Sequence, residues 1–268
     1  MVVASHSGVR YYDSSVASAL ERFTIASRRS PPREVTVYLP AAFASARAPL
    51  PVLLLHDGQN LFEPARAYVP GQHWRVAETA DALIEAGRLP PLVIAGIDHL
   101  GDARGREYTP TAGDHDGGGA ADYGRFLVDE LVPYLARVFG TRTDADGVAM
   151  GGASLGGLVT LSVARQFPGR LGHLLVMSPS VWWDGRVILR RLRRVGLRPR
   201  PRVWLDIGRR EGARAVTDAR ALRDLLIWQT SAIRYVEDPV GRHSEADWAR
   251  RLPPALTWLY ETGICVNA

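Results

Sequence analysis

A serine, a late histidine and the carboxylates between them are the residues of this chain whose types and spacing could carry out acyl transfer. Gly152-Ala153-Ser154-Leu155-Gly156 fits the pattern G-x-S-x-G. The apolar run DGVAM precedes it and the helical pattern SLGGLVTLSVARQF opens on it, so the pentapeptide stands where a strand turns into a helix. Gly152 and Gly156 let the backbone fold sharply and leave Ser154 Oγ exposed at the upper edge of a sheet. Amides at the start of the helix favour negative charge developing beside it. A serine hydroxyl also needs a base. Of the seven histidines, only His173 and His243 follow Ser154, as the chain order nucleophile, acid, base requires. His173 begins the run HLLVMSPS and belongs at the opposite end of the sheet; His243 follows IRYVEDP, in the loop after the last strand.

The acid that orients the imidazole lies among Asp184, Asp206, Glu211, Asp218, Asp224, Glu237 and Asp238. Asp218 and Asp224 fall on a helix, and Glu237 and Asp238 end the strand leading to His243. Glu211, in the turn GRREG, is within reach of the His243 loop and is favoured; Asp206, inside the run RVWLDIG, and Asp184 stay open as alternatives. Acyl transfer also needs two backbone donors for an oxyanion. They are expected at Leu155, directly after the serine, and at Gln59 after PVLLLHDG, where Gly58 permits close approach. Asp57 and His56 beside it either shape the site or close the turn.

Such a constellation needs a scaffold that brings distant loops to one edge. ERFTIAS (21–27) and REVTVYLP (33–40) read as an antiparallel hairpin. PVLLLHDG, PLVIAGID, DGVAMGG, HLLVMSPS, RVWLDIG and IRYVEDP are six further strands, near-continuously apolar. Helical patterns separate them: WRVAETADALIEAG, ADYGRFLVDELVPYLARVF, the segment after Ser154, an Arg-rich segment and AVTDARALRDLLIWQ. A last helix, EADWARRLPPALTWLY, is expected to kink or restart at Pro253–Pro254. The pattern predicts an α/β fold, a mostly parallel eight-stranded sheet with helices on both faces. One domain is expected over 1–268, with 1–20 as a poorly ordered N-terminal segment. The stretch between SPSVWW and RVWLDIG is too short for a substantial cap domain, so an open site is expected.

Composition excludes several classes. All 33 basic residues are arginine, which removes a lysine Schiff base, a P-loop lysine and pyridoxal chemistry. The formal charge of +5 is concentrated in Gly185–Arg202, where apolar residues alternate with arginines as in a solvated amphipathic helix. No nucleic-acid-binding signature accompanies it. No apolar run is long enough for a membrane span, and no secretory signal pattern opens the chain. Cys265 is the lone cysteine and cannot form an internal disulfide, so a cytoplasmic protein is expected.

Together HDGQNLFEP, Trp74 beyond it, GID with REYTP, YGRFLVDELVPYL, GASLGGL, SPSVWW, DIGRREG and H-S-E-x-x-W resemble the putative-esterase family of α/β-hydrolases, from about Arg33 to Tyr260. That family includes enterochelin esterases, S-formylglutathione hydrolases, some feruloyl esterases and mycolyltransferases. The resemblance implies an α/β-hydrolase fold, Ser154, Glu211 and His243 as a triad, and the amides of Gln59 and Leu155 as the oxyanion hole. SPSVWW and GRREG are especially similar to enterochelin esterases, whose N-terminal substrate-gripping domain has no expected counterpart here. The match to S-formylglutathione hydrolases is poor around the nucleophile.

Substrate contacts are expected from Asp57, from Trp182 and Trp183 as walls for an acyl or aryl group, and from Arg106 and Tyr108 beside Arg104 and Glu107. An open groove with nearby arginines suits a bulky or anionic ester. The expected function is a serine carboxylic-ester hydrolase acting on a siderophore-like or aryl ester. An acyltransferase using the same acyl-enzyme, or a catalytically silent binding protein, is the alternative. The expected partner is a small-molecule ester, with no metal, cofactor, nucleic acid or membrane; the oligomeric state stays open.

Overall fold

The computed structural model of the chain describes residues 3–5, 18–27, 30–113 and 116–261. Their strands are β1 Val3–Ser5, β2 Ala19–Ala26, β3 Arg33–Leu39, β4 Val52–His56, β5 Val93–Ile97, β6 Val148–Ala153, β7 His173–Met177, β8 Arg202–Gly208 and β9 Ala232–Asp238. They form one sheet in the order β1-β2-β3-β5-β4-β6-β7-β8-β9. The eight expected strands are β2 to β9. The addition is β1, a three-residue edge strand antiparallel to β2, too short to leave a pattern in the sequence. Of the N-terminal segment 1–20, residues 3–5 and 19–20 lie in strands; 1–2 and 6–17, like Cys265, lie outside the described residues.

From β4 to β9 the neighbours run parallel, whereas β2 and β3 join them as an antiparallel flank. Every residue of β4, β5 and β6 is buried, because helices cover both faces and leave no place for a polar alternation. The helices are α1 Val76–Glu85, α2 Arg104–Tyr108, α3 Ala120–Arg125, α4 Val132–Phe139, α5 Leu155–Gln166, α6 Trp183–Arg194, α7 Ala213–Leu226 and α8 Glu245–Tyr260. On one face α1 and α8 bury Ala80, Leu83, Leu252 and Leu256. On the other, α3 to α7 bury Tyr123, Leu135, Leu158, Ile188 and Leu222. The helix α8 does not restart at Pro253–Pro254 but continues through both prolines. Its apolar face, with Trp248, Ala255 and Leu259 also in the core, holds it on the sheet despite the two missing amide donors.

Two features of this topology position a site. The chain leaves β4 for β5 on one side, then crosses back to β6 on the other. The loops after β4 and β6 therefore diverge and leave a crevice at the carboxyl ends of the strands. Among the described residues the only helix between β7 and β8 is α6, which leaves no room for a cap domain between those strands.

Candidate active site

Ser154 sits at the apex of the turn from β6 into α5 with φ 59° and ψ −122°. Those angles belong to the first central position of a type II′ turn, which glycine prefers, and a side chain there costs about 1–3 kcal/mol. Hydrogen bonds to β7, to the loop beyond it and to α5 hold the strained residue in place. Its N–H donates to Met177 O (3.1 Å), and its carbonyl accepts from Ser180 N (3.0 Å) and Leu158 N (3.2 Å). The flanking glycines are needed for close approach: a Cβ on Gly152 would lie 3.2 Å from the Cβ of His56. His56 itself is buried against this turn, its Nδ1 3.0 Å from Tyr123 Oη. Burial pushes its pKa down to about 4, so the ring is neutral and packs the turn from behind.

His243 comes from the loop between β9 and α8. Its Nε2 lies 3.0 Å from Ser154 Oγ and its Nδ1 2.6 Å from Glu211 Oε2. Glu211 follows β8, in the turn Arg209–Glu211, and its side chain is 2% exposed. Its other oxygen accepts from Ser178 Oγ (2.6 Å) and from the amide of Gly208 (2.8 Å). Burial pushes the Glu211 carboxyl up, but the hydrogen bonds from His243, Ser178 and Gly208 outweigh it and leave the pKa below the usual value. An ionised Glu211 only accepts, so Nδ1 of His243 carries the proton and the lone pair of Nε2 faces the serine hydroxyl.

Behind Glu211 a second layer fixes the geometry. Trp248 Nε1 (3.0 Å) and Arg251 Nη2 (2.9 Å) both donate to Ser178 Oγ, which turns its proton toward Glu211. Arg251 also pairs with Asp206 at 3.1 Å, and Trp204 Nε1 donates to the same carboxylate at 2.8 Å. Burial raises the Asp206 pKa to about 6 against the opposing pull of Arg251. Of the three favoured candidates for the acid, the structure thus brings Glu211 to His243. Asp206 faces Arg251 instead, and Asp184 lies 4.0 Å from Arg190. The Trp248 ring meets His243 edge-on, centroids 4.8 Å apart, which limits rotation of the imidazole.

Leu155 is the first residue of α5, and Gln59 lies in the single turn Gly58–Asn60 that follows β4. First-turn amides have no partner within their own helix. The two turns are adjacent, since a Cβ on Gly156 would be 3.5 Å from Asp57 Oδ2.

Two cavities border this pair, one walled in part by Ser154 and the other by His243. The larger, about 560 Å³, includes Asp57, Trp74, Arg104, Ser154, Glu245 and Trp248 in its walls. The smaller, about 400 Å³, is walled by Pro179, Trp182, Ile207, Arg214 and His243. Asp57 and Trp182 therefore line the clefts as expected residues; Trp183, Tyr108 and Arg106 do not. Trp183 is buried and its indole N–H donates to Thr111 O at 3.1 Å. Tyr108 is fully buried, stacked on Tyr123, with its Oη accepting from the amide of Asp57 at 3.2 Å. Arg106 is exposed outside both clefts, because one helical turn carries neighbouring residues to different faces. Arg104, on the cleft side of α2, forms a two-pronged pair with Asp57 at 2.7 and 2.9 Å. The charge of Arg104 is thus already matched by Asp57. Sequence reasoning missed Ser178, Ser180, Asn60 and Glu245. Ser180 Oγ lies 3.3 Å from Ser154 Oγ. Their motifs, SPS and H-S-E-x-x-W, were visible, but their contacts are made across the sheet.

Residues 28–259 match the family described as Putative esterase. The chain belongs to that family. Its relatives include a Bacillus subtilis protein called Uncharacterized protein YbbA, 25% identical over 85% of this chain and 92% of that protein. The Escherichia coli iron(III) salmochelin esterase is 29% identical over 56% of this chain and 33% of its own length. The chain thus spans about a third of that curated siderophore esterase. Among solved structures, the enterobactin esterase of Shigella flexneri superposes with a TM-score of 0.75 at 24% identity, covering 92% of this chain and 60% of that one. This likeness establishes the α/β-hydrolase fold of the esterase. Among the described residues, no helix is long and apolar enough to cross a membrane.

Proposed function

We propose that the chain is a serine carboxylic-ester hydrolase working through an acyl-enzyme, with Ser154 as nucleophile, His243 as base and Glu211 as the orienting acid. The reading rests on the continuous path from Ser154 Oγ through the His243 ring to Glu211, with contacts of 3.0 and 2.6 Å. In this scheme Nε2 takes the serine proton as Oγ attacks the ester carbonyl, and Glu211 stabilises the imidazolium that results. The amides of Leu155 and Gln59 receive the oxyanion. The imidazolium then protonates the leaving alkoxide, and water attacks the acyl-serine by the same route in reverse. Hydrolysis is favoured over transfer to another acceptor because His243 is 46% exposed and, among the described residues, no cap domain stands between β7 and β8. The partly exposed Trp182 and the smaller cleft suit an aryl or other bulky group, as in the siderophore esters named for several relatives. All these groups belong to one α/β-hydrolase domain.

Ser154→Ala and His243→Ala should each lower kcat on an activated aryl ester by at least ~10³ while the circular dichroism stays native. A fluorophosphonate should label Ser154 stoichiometrically. Turnover near wild type in either variant would rule out the assignment, and an unlabelled, correctly folded chain would favour a silent binding protein.

A further inference from the structure

The larger cleft holds a carboxylate that the proposed acyl-enzyme chemistry does not use. Glu245 opens α8 two residues after His243 and lines the same cavity as Ser154. Its Oε1 accepts from Asn60 Nδ2 at 3.0 Å and its Oε2 accepts from Trp74 Nε1. Both donors are neutral, and they fix the carboxylate without cancelling its charge. After β4 comes Asp57, already matched by Arg104 of α2. After β5 come His99 and Asp102, which line the same cavity, and His243, whose charge acts on Glu245, precedes α8. Among the described residues no cation lies within ion-pairing distance of Glu245. Tyr68, Trp74 and Trp248 line the same space, and aromatic faces attract cations as a carboxylate does. A half-buried carboxylate without a counter-ion, rigidly held among aromatic rings beside a nucleophile, is an incomplete ion pair. The missing partner is a positive group.

We propose that Glu245 is a specificity residue that receives a cationic amino group on the bound ester, so that the substrate class is an ester bearing an ammonium substituent. The inference rests on the reading of Ser154 as nucleophile, since it places the ester carbonyl at that residue. Burial, reinforced by Asp57, raises the Glu245 pKa to about 7, and only in part do Trp74, Arg104 and His243 oppose it. The free cleft is thus half-charged near neutrality, and its attraction for a cation grows as pH rises through that value.

The test uses p-nitrophenyl esters carrying a trimethylammonio group at several spacer lengths, each paired with its neutral tert-butyl isostere. The quaternary charge does not titrate, so any pH dependence of the ratio of kcat/KM values belongs to the protein, and titrations that affect both esters alike cancel. Each rate is normalised to that ester's reaction with hydroxide. For at least one spacer the cationic ester should be preferred by roughly 10-fold at about pH 8, with the preference shrinking toward one at about pH 6. In Glu245→Gln, which keeps the shape, the ratio should sit near one and be flat with pH. Turnover of the neutral ester with a wild-type ratio of one or less at every spacer would overturn the assignment of Glu245 and leave the esterase reading standing. A pH-dependent preference that survives unchanged in Glu245→Gln would overturn it too. If neither ester of any pair is hydrolysed, the esterase reading itself fails and the inference with it.

Discussion

Replacing Glu211 by glutamine tests the orienting role proposed for it, because shape is kept and one charge is removed. The surroundings dictate how the amide would settle. The position of Oε1 receives two donors, Ser178 Oγ–H at 2.6 Å and the Gly208 amide at 2.8 Å, so the amide oxygen belongs there. Its NH₂ then points at His243 Nδ1, 2.6 Å from the present Oε2. Facing a donor, Nδ1 must accept, and the proton moves to Nε2. That tautomer presents a proton rather than a lone pair to Ser154 and cannot take the serine hydrogen. A triad acid changed to its amide loses about 10⁴ in kcat, equivalent to about 5.5 kcal/mol of barrier. Steady-state hydrolysis of p-nitrophenyl acetate at saturation measures it, with active sites counted by a fluorophosphonate.

The same variant has a thermodynamic signature. Glu211 has a depressed pKa in the folded protein, so its ionised form contributes stability above the unfolded-state value. That contribution is lost as pH falls through the lower folded value. The stability gap between wild type and Glu211→Gln, read from urea unfolding, should therefore be widest near neutrality and close on acidification. Asp206→Asn is the control. It removes the nearer of the two carboxylates beside Arg251, whose side chain is 5% exposed and lies 3.1 Å from Asp206 and 3.6 Å from Glu211, and should destabilise by about 3 kcal/mol with kcat within about 10-fold of wild type. Retained activity in Glu211→Gln together with collapse in Asp206→Asn would refute the tautomer argument and reassign the acid.

Other outcomes follow from the same geometry. Ser154→Gly removes the strain of a side chain at φ 59° and should be more stable than Ser154→Ala by about 1 kcal/mol in chemical denaturation; equal stabilities would mean the turn is unstrained. Trp182 is 49% exposed at the smaller cleft. Its change to alanine should raise KM for aryl esters while stability shifts by no more than about 0.5 kcal/mol. Trp183→Ala, one residue along but in the core, should instead cost about 3–5 kcal/mol. If the two variants behave alike in urea, the burial difference between them does not govern their roles.

The sheet, its mixture of parallel and antiparallel strands, and the place of Ser154 and His243 were legible in the chain because they depend on local signals. Apolar runs mark β4 to β8, two glycines permit one sharp turn, and chain order alone puts His243 beyond the last strand. Parts of the site were not legible, for one physical reason. A side chain's partner is set by which loops the sheet brings together, and G-R-R-E-G carries no mark saying that Glu211 will meet His243 rather than solvent. Trp182 and Trp183 are adjacent letters, yet the start of α6 turns one into the cleft and the other into the core. Arg104 and Arg106 look equally available until α2 places one on Asp57 and the other outside. Glu245 is the clearest case. Its motif is plain in the sequence, but its lack of a counter-ion exists only once β4, the Trp74 loop and α8 close around it. Local sequence determined the elements and the sharp turn that carries Ser154; the pairing of charges, which acts through space, was decided by the tertiary structure.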